Sequence, residues 1–387
     1  MLRVISIGTD RKLFEENSAV LVRNLEYVSK MEELHIIVFS LKNLGLEPKN
    51  IGNLHIYPTN STSRLFYVLD AFRIGKQIIE NCKLKIENCS DVVISCQDPF
   101  ETGLAGYFLK KKFNFPLQLQ IHTDFLSPYF KNSLLNKIRV RIAKFLIPQA
   151  DGLRVVSEVV ETSIKKCFPN LKIVRDVLPV FVDIEKILRD NATATIDIKT
   201  KFPQFKFIIF MASRLVTEKR ISVAINAFQK VLGQFAYAGL VIAGDGPERK
   251  NLENLVKKLG IEKNVVFLGW QANLSSYYKT ANLFLLTSEY EGYGMTLIEA
   301  MASGCPIVTT RVGIAETSLF INEKNCFICP VGDVECLFKA ILELIMDNVK
   351  RELFKREMQD SIKSIMITRE EYTARYVGLL EKLIKSK

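Results

Sequence analysis

The chain has no apolar run of the ~20 residues needed to span a bilayer as a helix. Its N-terminus, MLRVISIGTD, enters a strand pattern at once, without a basic-then-apolar leader and cleavage site, so a cytoplasmic location is expected. In that compartment the eight cysteines are expected as reduced thiols. Cys326 and Cys329 have CxxC spacing, but a lone pair inside an apolar, strand-like run reads as buried thiols rather than a metal or redox pair. There is no basic tail of the kind that grips nucleic acid, because both halves share the formal charge of +11. Gly244-Asp245-Gly246 lacks the third glycine of a dinucleotide fingerprint, which argues against a dehydrogenase.

What is present points to two α/β domains. A length of 387 residues exceeds one ordinary core. Short apolar strands (Leu2–Ile7, Leu34–Phe39, Leu54–Tyr57, Val92–Ser95, Leu117–His122, Leu153–Val156) alternate with helical periodicity, the pattern of a parallel sheet covered on both faces. The polar stretch Asp190–Pro203 interrupts the alternation, which restarts at Phe207–Ala212 and Leu240–Ala243. The expected division is residues 1–185, residues 186–365, and a final helix over 366–387 that returns to the N-terminal domain. Tyr372, Tyr376, Leu379, Leu380 and Leu383 share one face of that helix.

The stretch Ser288–Val308 organises the second domain. An apolar strand, Asn282–Thr287, leads into a loop with Gly292 and Gly294; helical spacing then runs from Met295 to Gly304 and stops before Pro306. A helix N-terminus aimed into a glycine loop suits an anion. Glu291 and Glu299 flank it; carboxylates repel phosphate but accept hydrogen bonds from ribose or sugar hydroxyls. Equally, both could be solvated beside a tight turn.

Arg214 and Lys219 follow the first strand of the same domain, five positions apart, so their heads can converge above the sheet on a diphosphate. The competing reading is two solvated surface cations. His122, one of three histidines, ends a strand of the first domain, where it can donate to a sugar hydroxyl, titrate during catalysis, or serve only structurally. Lys131–Ile147 reads as a basic amphipathic helix, suited either to an anionic lipid surface or to covering the sheet.

Together Ser213-Arg214-Leu215 with Lys219, Ala243-Gly244-Asp245-Gly246-Pro247 and Glu291-Gly292-Tyr293-Gly294 through Glu299-Ala300-Met301-Ala302-Ser303-Gly304 resemble a family 4 glycosyltransferase. The resemblance spans Phe207–Ile345 and is thinner before it. It implies the GT-B fold, two Rossmann-like doubly wound domains facing across a cleft. It also implies a retaining transfer from a UDP-, GDP- or ADP-sugar to a glycan or lipid-linked acceptor, in envelope polysaccharide or glycolipid synthesis. No obligatory metal is expected, and the chain has no Asp-x-Asp motif. In that scheme Arg214 and Lys219 neutralise the donor diphosphate, and Glu299 holds the ribose. Glu291 and the amides of Gly292, Tyr293 and Gly294 meet the donor sugar; those of Met295, Thr296 and Leu297 lie near the phosphates. Gly244, Asp245 and Gly246 join the donor side, and His122 contacts sugar or phosphate. Gly8, Thr9 and Asp124 belong to the acceptor side, where the usual glycine-rich turn is reduced to Gly8-Thr9-Asp10-Arg11. The alternatives are an epimerase or phosphorylase of the same fold, or a nucleotide-sugar-binding protein without turnover.

Overall fold

The computed structural model describes residues 2–83, 91–192 and 197–385. The chain forms two compact units, one of Met1–Pro179 with Thr368–Lys387, the other of Val180–Ile367.

Among the described residues, the first unit is built on an eight-stranded sheet ordered β3-β4-β2-β1-β5-β6-β7-β8. Its strands are β1 (Arg3–Gly8), β2 (Glu33–Val38), β3 (Lys49–Ile51), β4 (Leu54–Pro58), β5 (Val92–Cys96), β6 (Leu117–Ile121), β7 (Gly152–Val155) and β8 (Val174–Val177). All neighbours run parallel except β3 and β4. β5 and β6 are buried throughout, as a sheet covered on both faces requires. Hydrophobic pattern does not announce β3 or β8. They read KNI and VRDV and lie at the two edges, where a strand is not enclosed and need not be apolar.

The helix Arg369–Lys385 belongs to this unit. Its face of Tyr372, Tyr376, Leu379, Leu380 and Leu383 is buried, with Tyr376 stacked on Tyr27 at 4.4 Å between ring centroids. Leu383 fills the space beside Gly152, where a Cβ would come within 2.6 Å of its side chain. The basic helix runs over Leu134–Leu146, capped by Ser133 and preceded by a 3-10 turn, Pro128–Asn132.

The second unit carries a parallel sheet ordered β11-β10-β9-β12-β13-β14. Its strands are β9 (Phe207–Ala212), β10 (Ala238–Ala243), β11 (Val265–Gly269), β12 (Leu283–Leu286), β13 (Ile307–Thr310) and β14 (Phe327–Cys329). Every residue of β9, β10 and β12 is buried. Strand order reverses between β9 and β12, the position where such sheets open a ligand crevice.

The cysteines depart from expectation. Cys329 and Cys336 are joined in a disulfide, because the end of β14 and the first turn of helix Val334–Met346 bring their Cα atoms within 5.7 Å. Cys326 is a buried free thiol, which burial pushes up to about 12. Cys89 lies outside the described residues.

Candidate functional site

The loops after β9 and β10 are sewn together by main chain. Ser213 N donates to Ala243 O at 3.1 Å, Leu215 N to Asp245 O at 2.9 Å, and Glu248 N to Leu215 O at 3.0 Å. Only glycine permits this approach. A Cβ on Gly244 would lie 1.8 Å from Ser213 O, and one on Gly246 would lie 2.4 Å from Leu215 O. These glycines therefore position the Arg214 loop, a role their spacing did not reveal. Asp245 accepts from Gly246 N and pairs with Arg249. Ser213 Oγ, beside Arg214, is buried without a hydrogen-bond partner among the described residues.

The loop after β9 also meets the loop after β12. Lys219 Nζ donates to Glu291 Oε1 at 2.5 Å, and Ser288 Oγ donates to the same oxygen at 2.7 Å. Both charged side chains are largely covered, at 15% and 14% exposure. Thr287 Oγ1 donates to the carbonyls of Lys219 and Arg220, and Glu289 N donates to Glu218 O, bolting the two loops together. Arg220 pairs with buried Glu289 at 2.6 Å. Arg214 and Lys219 hold different carboxylates: the Arg214 guanidinium is exposed and pairs with Glu218 at 3.6 Å. Tyr290 stands among these charges. Burial first, then Glu218, Glu289 and Glu291, push its phenol up to about 12, while Arg214 pulls it down.

Helix Met295–Ala302 begins at Gly294, whose φ of 95° is in the left-handed region. It ends in a Schellman motif: Gly304 N donates to Met301 O, and Cys305 N to Ala300 O, both at 3.0 Å. Gly292, Tyr293 and Gly294 are buried; Tyr293 O accepts from Ile314 N at 2.8 Å. Gly313 lets that second loop approach, since a Cβ there would lie 2.8 Å from Tyr293 O. The Leu297 amide is spent on Gly294 O, so Met295 and Thr296 head the helix.

Glu299, further along this helix, accepts a hydrogen bond from Tyr278 Oη at 2.9 Å. Burial raises its pKa, and the Tyr278 bond opposes the shift. Glu299, Tyr278 and Met295 line a pocket of ≈ 320 Å³, together with Phe181, Lys186 and Gln271. Tyr278 escaped sequence reasoning; the doublet Tyr277-Tyr278 was its only signal.

In the first unit, His122 directly follows β6. Its Nε2 lies 3.1 Å from Gln120 Oε1, which also accepts from Arg154 Nη1 at 2.8 Å. An arginine can only donate, so that atom of Gln120 is the oxygen and His122 carries its proton on Nε2. Nδ1 keeps a lone pair and accepts hydrogen bonds, so the expected donation to a hydroxyl does not come from this tautomer. Burial, then Arg154 and Arg23, lower the imidazole pKa to about 3, so His122 does not titrate near neutrality. Arg154 is itself buried and held by the C-terminal helix: it donates to Tyr372 Oη at 2.6 Å and lies over the Tyr376 ring.

Asp124 is occupied locally, accepting from Ser163 Oγ and Leu126 N, and burial raises its pKa. Thr9 N donates to Gln97 Oε1 at 2.8 Å. A Cβ on Gly8 would lie 2.6 Å from that same oxygen.

Residues 193–360 match the family Glycosyl transferases group 1. The chain carries a group 1 glycosyl transferase domain. That domain contains Arg214, Lys219, Glu291, Glu299 and Tyr278. N-acetyl-alpha-D-glucosaminyl L-malate synthase of Bacillus anthracis is 31% identical over 208 residues, covering 53% of each chain. Alpha-monoglucosyldiacylglycerol synthase of Streptococcus pneumoniae is 26% identical over 226 residues, 56% of this chain and 51% of that one. The uncharacterized glycosyltransferase MJ1059 of Methanocaldococcus jannaschii is 27% identical over 260 residues, 66% and 64%. The chain thus spans from about half to just under two thirds of these relatives. Sucrose-phosphate synthase from Thermosynechococcus elongatus superposes with a TM-score of 0.76 at 18% identity over 100% of both chains. Anabaena Alr3699/HepE, in complex with UDP, does so at 0.70 and 17% over 100% and 99%. The fold around the group 1 domain is GT-B.

Proposed function

We propose that the protein is a retaining glycosyltransferase that moves a sugar from a nucleotide-diphosphate sugar to a glycan or lipid-linked acceptor. The observation that carries this reading is the Lys219–Glu291 pair beside the head of helix Met295–Ala302, with Glu299 opening on a pocket in the same unit. Lys219, Arg214, the unpartnered Ser213 hydroxyl and the Met295 and Thr296 amides are the donors a diphosphate needs. Glu299 takes the ribose hydroxyls. Glu291, oriented by Lys219 and Ser288, takes a hydroxyl of the donor sugar.

In the reaction the bond from the anomeric carbon to the diphosphate oxygen breaks, and its electron pair leaves with the phosphate. The acceptor oxygen bonds the same carbon from the same face and passes its proton to the departing phosphate oxygen. Fixed cations stabilise the leaving group, the largest electrostatic demand of the step. None of the named residues requires a metal for this work.

Envelope glycolipid or polysaccharide synthesis is the setting we favour, in keeping with the pneumococcal relative's name, alpha-monoglucosyldiacylglycerol synthase. Leu134, Leu135, Ile138 and Phe145 are exposed on the helix that also carries exposed Lys137, Arg141 and Lys144, a composition suited to an anionic cytoplasmic membrane face. No helix among the described residues is long and apolar enough to cross a membrane.

The test is a panel of UDP-, GDP- and ADP-sugars screened by thermal shift, followed by measurement of free nucleoside diphosphate with and without diacylglycerol or oligosaccharide acceptors. Release that depends on an acceptor supports transfer. Binding without acceptor-dependent release on any acceptor overturns it in favour of a binding protein.

A further inference from the structure

Two of the chain's three histidines stand side by side on β2 and β4, strands that carry none of the residues assigned above. Parallel register places His35 of β2 opposite His55 of β4, and their rings stack with centroids 4.8 Å apart. Glu33 precedes His35 by two positions and so shares its face of the sheet. One ligand atom from each of Glu33, His35 and His55 lies within 4.8 Å of the others.

His35 Nε2 and Glu33 Oε2 are within hydrogen-bond reach, and in one choice of tautomers the ring nitrogens that face the carboxylate are free to bind a cation. His55 Nδ1 lies 2.8 Å from Asn50 Oδ1; donation there leaves the Nε2 lone pair for a ligand. His35 Nδ1 lies 3.3 Å from Tyr57 Oη, and its Nε2 faces Glu33 Oε2 at 3.4 Å. In the tautomer with its proton toward Tyr57, a nitrogen lone pair and a carboxylate oxygen face each other, and a cation between them satisfies both. A second partner on the far ring nitrogen is the usual support of a metal-binding imidazole, and Asn50 and Tyr57 fill that place. Arg3 competes, since its Nε lies 3.8 Å from Glu33 Oε2, but its terminal nitrogen is engaged by Glu32.

We propose that Glu33, His35 and His55 bind one divalent transition-metal ion, Zn²⁺ being the candidate that a two-imidazole, one-carboxylate set favours over Mg²⁺ or Ca²⁺. Three protein ligands leave a fourth position for water. The ion clips β2 to β4 and uses none of the residues assigned to sugar transfer, so it is independent of that reading.

The experiment titrates the full chain, freed of metal with chelator, with Zn²⁺ alone by calorimetry. A Cys167→Ser background removes the half-exposed thiol as a competing ligand. One ion per chain is expected, with a raised Tm and ¹⁵N ring shifts on His35 and His55 while His122 stays unmoved. His55→Phe keeps the stacked ring but deletes the nitrogen, and should weaken binding about tenfold or more. Glu33→Gln, which keeps shape and removes charge, should weaken it in the same direction. Absence of saturable binding, ring shifts confined to other residues, or undiminished binding by both variants overturns the proposal.

Discussion

Tyr278 donates its hydroxyl to Glu299 Oε2 at 2.9 Å, joining the short helix Ser275–Thr280 to the helix that begins beside the glycine loop. The bond favours the charged form of a carboxylate whose pKa burial raises. Tyr278→Phe should weaken nucleotide-sugar binding roughly tenfold near neutral pH, the loss that a ~1.5 kcal/mol bond to a charged group implies. Because the Glu299 pKa is raised in the folded protein, donor affinity should fall as pH drops through that raised value, and in Tyr278→Phe the fall should begin at higher pH. Stability should respond with the opposite sign, since a carboxyl with a raised folded pKa favours the native state at low pH. Donor titrations by calorimetry across pH check both.

Lys219→Ala should lower transfer about 100- to 1,000-fold, as loss of one fixed donor to developing charge does, and leave the far-ultraviolet circular dichroism unchanged. The variant strips Glu291 of its cation but leaves Ser288 on the same oxygen, so the loop keeps one tie. Near-normal rates of nucleoside diphosphate release would remove the diphosphate role from this lysine.

His122 should remain a neutral ring, protonated at Nε2, through the physiological range. With a folded pKa of about 3, it contributes no inflection to a pH–rate profile between pH 5 and 8. The unfolded ring binds a proton near pH 6.5, so this residue's contribution to stability should fall as pH drops from there toward 3. Histidine ¹⁵N spectra, assigned with His122→Gln, check the tautomer and the titration together.

Reduction of Cys329–Cys336 should lower stability by about 2.5 kcal/mol, the chain-entropy value for so short a loop. Thermal melts with and without reductant, against Cys336→Ser, measure it. No change in Tm on reduction would place both cysteines among the reduced thiols expected from a cytoplasmic location.

The strand–glycine loop–helix at Asn282–Gly304 was legible because periodicity changes at the glycines and Gly304 stops the helix. Position at a strand end also marked out Lys219, Glu291 and His122. Their partners were hidden for topological reasons. Lys219 and Glu291 are 72 positions apart, and only the placement of β12 beside β9 makes them neighbours. The oxygen that sets the His122 tautomer is fixed by Arg154, a residue that looks like an ordinary surface cation until β7 and the last helix enclose it. β3 and β8 lacked a hydrophobic signature because edge strands do not need one.

Arg154, enclosed by Tyr372 and Tyr376, also bears on how the protein is made. The first unit is short of its final helix until the ribosome has added the whole of Val180–Ile367. At ~5–20 residues per second that interval is roughly 10–40 s. Through it the nascent sheet carries a guanidinium without its aromatic cover and a Gly152 groove still lacking Leu383. The first unit is therefore completed after the second, and a chain cut after Ile367 would hold the glycine-loop residues yet leave the earlier sheet open.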